Sequence, residues 1–131
     1  CETNIVGNKL VMNQDDCFLI YDIVEKQLSN VPISLPVTKE KNINYSIRSF
    51  ICSDESIYYS MYALEYNGSL SWTVDSDANG LYCIDLSTMK ELKITSNIYS
   101  QLYLFEDKLI GEREEEVYSI DTITGQESCI K

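Results

Sequence analysis

The stretch from Lys9 to Gln27 (KLVMNQDDCFLIYDIVEKQ) returns at a constant offset of 99 residues as Lys108 to Gln126 (KLIGEREEEVYSIDTITGQ), aligned without a gap. Each copy runs apolar arm, acidic turn, apolar strand, Asp, short turn, Gln. A third copy lies between them and ends in Leu81-Tyr82-Cys83-Ile84-Asp85-Leu86. Self-similarity of this kind restricts a chain to one supersecondary unit stacked on itself, because a unit this small cannot bury its apolar surface alone.

The unit is built of strands. Short apolar runs recur every 8–12 residues with turn signals between them, Tyr and Ile are abundant, and no segment holds a helical period. The spacing predicts repeat units at about 2–33, 45–95 and 99–131. In unit one, strands are expected at 9–12, 17–23 and 28–33. In unit two they are expected at 47–52, 56–62, 81–86 and 91–94, and in unit three at 101–105, 108–111, 116–121 and 127–130. The connection over residues 34–44, with Pro36 and Lys39-Glu40-Lys41, is the clearest linker. The fold class is therefore all-β: about three four-stranded antiparallel units in a single domain over 1–131. Four strands per unit, the last leading into the first of the next, is the layout of a propeller blade. Propellers close with 4–8 blades, so three units read as part of a larger β-propeller, completed by remaining blades or by self-association. Open blades would leave sheet faces and edges uncovered.

Three stretches carry a resemblance. Ile57-Tyr58-Tyr59-Ser60, Gly80-Leu81-Tyr82-Cys83-Ile84-Asp85-Leu86 and Leu92-Lys93-Ile94-Thr95 resemble a blade of bacterial DUF5050-type propellers, which are similar to TolB-like and YWTD-type propellers. Val117-Tyr118-Ser119-Ile120-Asp121-Thr122-Ile123-Thr124-Gly125 is also similar to quinoprotein-like repeats, although the outer Trp typical of those is missing near Cys129 and Ile130. The resemblance implies a propeller and an extracytoplasmic bacterial location, in the cell envelope or secreted. It implies no activity, since no catalytic motif of a propeller enzyme is present.

Composition narrows the function. The net charge of −11 argues against nucleic acid or an anionic membrane as partner, because both need clustered Lys and Arg. With no histidine, the commonest general base and metal ligand is missing. Cys1, Cys17, Cys52, Cys83 and Cys129 form no Cys-x-x-Cys pair, and Cys52 and Cys83 sit in apolar runs as structural thiols. No run of 18 apolar residues predicts a transmembrane segment. The leading Cys1 allows two readings, a segment cut from a longer chain or the lipid-carrying first residue of a mature bacterial lipoprotein.

Asp22, Asp85 and Asp121 recur at one place in each unit, ending a strand before a turn, where a carboxylate can accept backbone N–H bonds. Asp75-Ser76-Asp77-Ala78-Asn79-Gly80 opens like a calcium loop, with Asp75, Asp77 and Asn79 as metal candidates. The end of that motif fails, since Cys83 and Leu86 stand at positions 9 and 12. A polar turn is the favoured reading and a Ca²⁺ site the alternative. Unit two is 16 residues longer than unit three between Ser60 and Gly80, and Asn67-Gly68 predicts a hairpin of 61–66 against 69–74. This insert should share an end of the fold with the inter-unit connections. It offers Tyr62, Tyr66 and Trp72 beside Asp75 and Asp77 as candidate ligand-binding residues, since aromatic side chains on a loop suit sugar rings or peptides. Glu112 and Glu114-Glu115-Glu116, interrupted by Arg113, read as a solvated turn matching Asp15-Asp16.

The expectation is a non-catalytic propeller segment, a binding or scaffold module with no cofactor and a protein or carbohydrate ligand. The alternatives are part of a propeller hydrolase or lyase with active residues in missing blades, and a Ca²⁺-stabilised structural repeat.

Overall fold

The computed structural model describes residues 3–14, 16–34 and 42–130. The expectations placed on Cys1, Asp15, Pro36 and Lys39-Glu40-Lys41 lie outside the described residues. All regular structure among the described residues is β, in three antiparallel sheets. Sheet one holds β1 (Thr3–Val6), β2 (Lys9–Gln14), β3 (Cys17–Asp22) and β4 (Gln27–Pro32). Sheet two holds β5 (Ile43–Cys52), β6 (Ser56–Asn67), β7 (Leu70–Val74), β8 (Gly80–Asp85) and β9 (Glu91–Thr95). Sheet three holds β10 (Gln101–Phe105), β11 (Lys108–Arg113), β12 (Glu116–Ile120) and β13 (Glu127–Cys129). Neighbours in sequence are neighbours in each sheet, except that β7 and β8 both pair with β6. The fifth strand of the middle sheet, β7, is the return arm of the hairpin expected at Asn67-Gly68, and β1 adds a strand that the sequence reading did not assign.

The sheets pack face on face in chain order. Val11, Phe18, Val31 and Ile33 of the first unit share a core with Phe50, Cys52, Ile57, Tyr59, Met61 and Ile84 of the second. A second core joins Leu81 of β8 to Tyr99, Leu102, Leu109 and Ile120. Sheet two is thus covered on both faces, and its long strand reads Ile57-Tyr58-Tyr59-Ser60-Met61 with no polar-out alternation, as a strand buried on both sides should. Ile57, Tyr59 and Met61 point to sheet one, while Tyr58 and Ser60 point to sheet three. Phe18 is fully buried between the rings of Phe50 and Tyr59, with centroids at 5.1 and 5.6 Å. Burying such a ring stabilises by roughly 1.5–3 kcal/mol.

The first strands of the sheets gather side by side, β5 lying next to both β1 and β10. Side-chain bonds tie them, Asn4 Nδ2 donating to Phe50 O at 3.2 Å and Ser49 Oγ to Tyr99 O at 2.7 Å. β5 makes this fit with a bulge at Arg48. Ile47 pairs with Met61 and Phe50 with Tyr59, so two residues three apart face the same core. An unbulged strand would turn one of them to the other face.

One turn is used in all three units. Oδ1 of Asp22 accepts from Val24 N and Glu25 N, that of Asp85 from Ser87 N and Thr88 N, and that of Asp121 from Ile123 N and Thr124 N. Each aspartate carbonyl also accepts from the amide four residues on, at Lys26, Met89 and Gly125. These three residues share a positive φ of 56°, 60° and 77°. The recurring aspartates are therefore turn residues, as their position at strand ends implies.

Candidate functional site

The insert in unit two is the hairpin β6–β7. β6 outruns β8, and its residues beyond Met61 pair with β7 instead, from Ala63↔Val74 to Asn67↔Leu70. The two loop residues are Gly68 and Ser69, one position later than the Asn67-Gly68 signal suggests. Gly68 has φ +64° at the first loop position, which is the glycine a type II′ turn requires. The amide of Tyr66 donates to Asn42 O at 2.9 Å, so the end of the long connection lies against this hairpin, at the same end of the fold.

Alternation along the strands divides the expected ligand-binding residues. Tyr62 and Tyr66 lie on one face of the hairpin, with Leu64 between them. Trp72 pairs with Glu65 and so lies on the opposite face, with Leu70 and Val74. Tyr66 is 39% exposed and Trp72 42%. Tyr62 is half-buried, with the Arg48 guanidinium 6.0 Å from its ring centroid.

The segment from Asp75 to Asn79 is held on several sides. Ser76 Oγ bonds the Tyr45 hydroxyl at 2.8 Å and accepts from Ala78 N, while Tyr82 Oη donates to Ala78 O at 2.7 Å. Lys93 Nζ donates to Asp77 O at 2.6 Å. Asn79 is buried and clamps the base of the hairpin. Its Oδ1 accepts from Ala63 N at 2.8 Å and its Nδ2 donates to Val74 O at 2.9 Å. The side chain expected as a third calcium ligand is thus engaged with the backbone of β6 and β7, while Asp75 and Asp77 are exposed. Among the described residues no group of three or more His, Cys, Asp or Glu is placed to hold a metal ion.

Asp75 and Asp77 line a cleft of about 500 Å³ between sheets two and three, with Ser96 and Asn97 from the connection and Arg113 and Glu114 from the acidic turn. Arg113 is the residue that sequence reasoning missed. It stacks 4.2 Å from the Tyr118 ring centroid and 5.7 Å from that of Tyr99, and its Nη2 meets Glu127 Oε2 at 3.4 Å. Glu127 also accepts from Tyr99 Oη at 2.7 Å and Asn97 Nδ2 at 2.5 Å. The only hint was an arginine breaking an acidic run. Its aromatic neighbours come from the next strand, β12, and from the connection that precedes β10.

A larger cleft, about 730 Å³, lies between sheets one and two at the opposite end, among Asp22, Asp54, Glu55 and Asp85. Asp85 holds its carboxyl below the usual aspartate range through its bonds from the Ser87 hydroxyl and amide and the Thr88 amide, and Asp121 does the same through Thr124 and Ile123. Burial pushes the Cys52 thiol up to about 12 and raises the Tyr59 phenol. Cys17 and Cys52 are buried, Cys83 is half-buried and Cys129 is exposed, and no disulfide joins these four.

No family profile matches the chain, and no curated protein matches it. Among solved structures, it is similar to the crystal structure of the N-terminal domain of Nup159, at 13% identity and a TM-score of 0.42. That overlap covers 98% of this chain and 35% of the other, so the chain spans about a third of that structure's length.

Proposed function

We propose that the three sheets are successive blades of a β-propeller and that the chain is a non-catalytic binding or scaffold module. Its contact surface on this reading is the hairpin β6–β7, together with the cleft beside it. The observation that carries the reading is the exposure of Tyr66 and Trp72 on a hairpin braced from below by Asn79. An aromatic ring held on each face of a hairpin with a two-residue loop binds at low entropic cost. Trp72, with Glu65 directly across the strand pair, offers a stacking plane beside a hydrogen-bond acceptor, which suits a sugar ring.

Three further features support the propeller part. Each sheet is a meander of four strands in chain order, apart from the added β7. The first strands adjoin one another. The blade sequences resemble those of DUF5050-type propellers. Extracytoplasmic placement rests on the resemblance to DUF5050-type propellers.

The chain has a single tryptophan, so its fluorescence reports on the proposed surface directly. Titration with a β-linked glucose hexasaccharide, and separately with an extended proline-rich peptide, should give a saturable change in Trp72 emission with one of them, weakened by Glu65→Ala. An unchanged spectrum with both at millimolar concentration would remove the hairpin as the contact surface.

A further inference from the structure

β7 is an edge strand with an open outer backbone. Asn67 and Leu70 flank the two-residue loop and so close it with a hydrogen-bonded pair. Along an antiparallel ladder such pairs alternate with non-bonded ones. Leu70, Trp72 and Val74 therefore turn their N–H and C=O groups to β6, while those of Ser71 and Thr73 point away from it. The same parity shows at Tyr66, which pairs with Ser71 and whose amide donates to Asn42 O, on the β5 side of β6. Among the described residues no strand lies along the outer edge of β7, and Leu70, Ser71, Trp72 and Thr73 are exposed.

Glu65 pairs with Ile43 of β5 on one side of β6 and with Trp72 of β7 on the other. Since β5 is the strand beside β1 and β10, the open edge of β7 points away from the side on which the three sheets gather. Sheet two already has a neighbour on each face. On the propeller reading, further blades stand beside sheets one and three around that shared side and do not run along β7.

The edge is also unprotected. Sheet proteins blunt open edges with lysine, proline, bulges or brevity. β4 ends in Pro32, β9 carries Lys93 and a register shift against β8, and β13 has 3 residues. β7, Leu-Ser-Trp-Thr-Val, has no proline, no lysine and a regular register with β6. Its surroundings carry one sign of charge. From Ser49 to Met89 every charged residue is acidic, with Glu65 on the hairpin and Asp75 directly after it. Arg48 lies against Tyr62, on the face opposite Trp72.

We propose that β7 is a site for β-strand addition and that its partner is an extended, basic segment of another protein. The segment's residues opposite Ser71 and Thr73 exchange N–H···O=C bonds with them, at the two-residue spacing of an extended chain. The residue between them, opposite Trp72, forms a non-bonded pair, where side chains approach more closely. An arginine there stacks on the Trp72 indole beside Glu65, gaining a cation–π contact and a charge partner. A second copy of this chain is a poor occupant, since pairing β7 with β7 brings together two acidic hairpins on chains of charge −11. The proposal rests on the hairpin as contact surface and names the class of partner it takes.

The test is titration of the native chain with a capped peptide of alternating arginine and valine, read by Trp72 emission and by anisotropy of the labelled peptide. Binding should saturate. N-methylation of the valines removes the N–H groups that face Ser71 and Thr73 and should weaken binding at least about tenfold. N-methylation of the arginines, whose N–H groups point away from β7, should leave the affinity within about twofold. Thr73→Pro removes the outward amide and none of the bonds to β6, so it should lose the peptide and keep the native melting temperature. If that variant melts lower, the two methylated peptides, which leave the protein untouched, decide. Equal affinity for all three peptides, or binding of none, overturns strand addition, as does a native chain that is dimeric by light scattering and becomes monomeric on Thr73→Pro. A saturable Trp72 change with the hexasaccharide and none with these peptides would keep the hairpin as contact surface and reject the peptide edge.

Discussion

The ring of Tyr99 occupies the space that Gly111 leaves on β11. A Cβ placed on Gly111 would lie 2.4 Å from Tyr99 Cδ1. The tyrosine cannot easily yield, since its amide donates to Ser60 Oγ, its carbonyl accepts from Ser49 Oγ and its hydroxyl donates to Glu127. It is the fully buried hinge between sheets two and three. Gly111→Ala should therefore destabilise by about 2–3 kcal/mol, the scale of an overpacked core. Tyr99→Phe, which keeps the ring and loses one bond to a carboxylate, should cost about 1.5–3 kcal/mol. Urea unfolding of both variants checks this, and a Gly111→Ala midpoint equal to the native one would show that the ring can move aside.

A second prediction concerns the turn between β11 and β12. Arg113 pairs with Glu116 across a two-residue loop, and both loop residues, Glu114 and Glu115, have positive φ, 50° and 66°. That is the type I′ conformation, which Asn-Gly adopts far more readily than two glutamates. The Arg113–Glu114 pair at 3.9 Å offsets little, with the Glu114 side chain 84% exposed. Glu114→Asn with Glu115→Gly should stabilise by about 1–2 kcal/mol, visible as a higher melting temperature. A lower one would mean that the acidic pair is held by something other than turn geometry.

These positions mark what was legible in the sequence. The repeat delivered three sheets and their turns, because a strand–turn period survives in any copy whose core face is kept apolar. Asn67-Gly68 announced the added hairpin to within one residue. That Trp72 opposes Tyr62 and Tyr66 was also legible, since either placement of a two-residue loop gives the same strand parity. The bulge at Arg48 left a trace too, in the break of alternation between Ile47 and Phe50. The seat of Arg113 did not, because Tyr99, Tyr118 and Glu127 reach it only once β11, β12 and β13 are paired. Asn79 looked like a ligand because spacing alone does not say which way an amide side chain turns.

Asn79 gives a third prediction. Asn79→Ala strands the amide of Ala63 and the carbonyl of Val74, both of which it now satisfies. The cost should be about 2–3 kcal/mol, with hydrogen exchange in β7 accelerating more than in β12. Since the Asn79 oxygen is turned onto β6, millimolar Ca²⁺ should leave the native melting temperature unchanged. A rise that Asp77→Asn abolishes would restore the calcium site.

The last prediction is the shape of the pH–stability curve. The carboxyls of Asp85 and Asp121 are held below their ordinary 3.8 by hydrogen bonds in the turns. A lowered folded value means that the unfolded chain takes up protons first. Their contribution is therefore present above pH about 4 and is lost as pH falls through the folded values. At the other limb, burial raises Cys52 from 9.0 to about 12 and raises Tyr59 above its ordinary 10.0. There the unfolded chain releases protons first, so their contribution is complete below pH about 9 and is lost as pH rises toward the folded values. With no histidine, nothing of the usual kind titrates between these limbs. Stability should be flat from pH about 5 to 9 and fall on both sides. Cys52→Ala should lower the plateau slightly and flatten the alkaline limb between pH 9 and 12, leaving the acid limb unchanged. Denaturant midpoints measured across pH for both chains decide it, and an alkaline limb equally steep in the variant would assign that loss to Cys83, whose thiol burial also raises, and to the buried tyrosines.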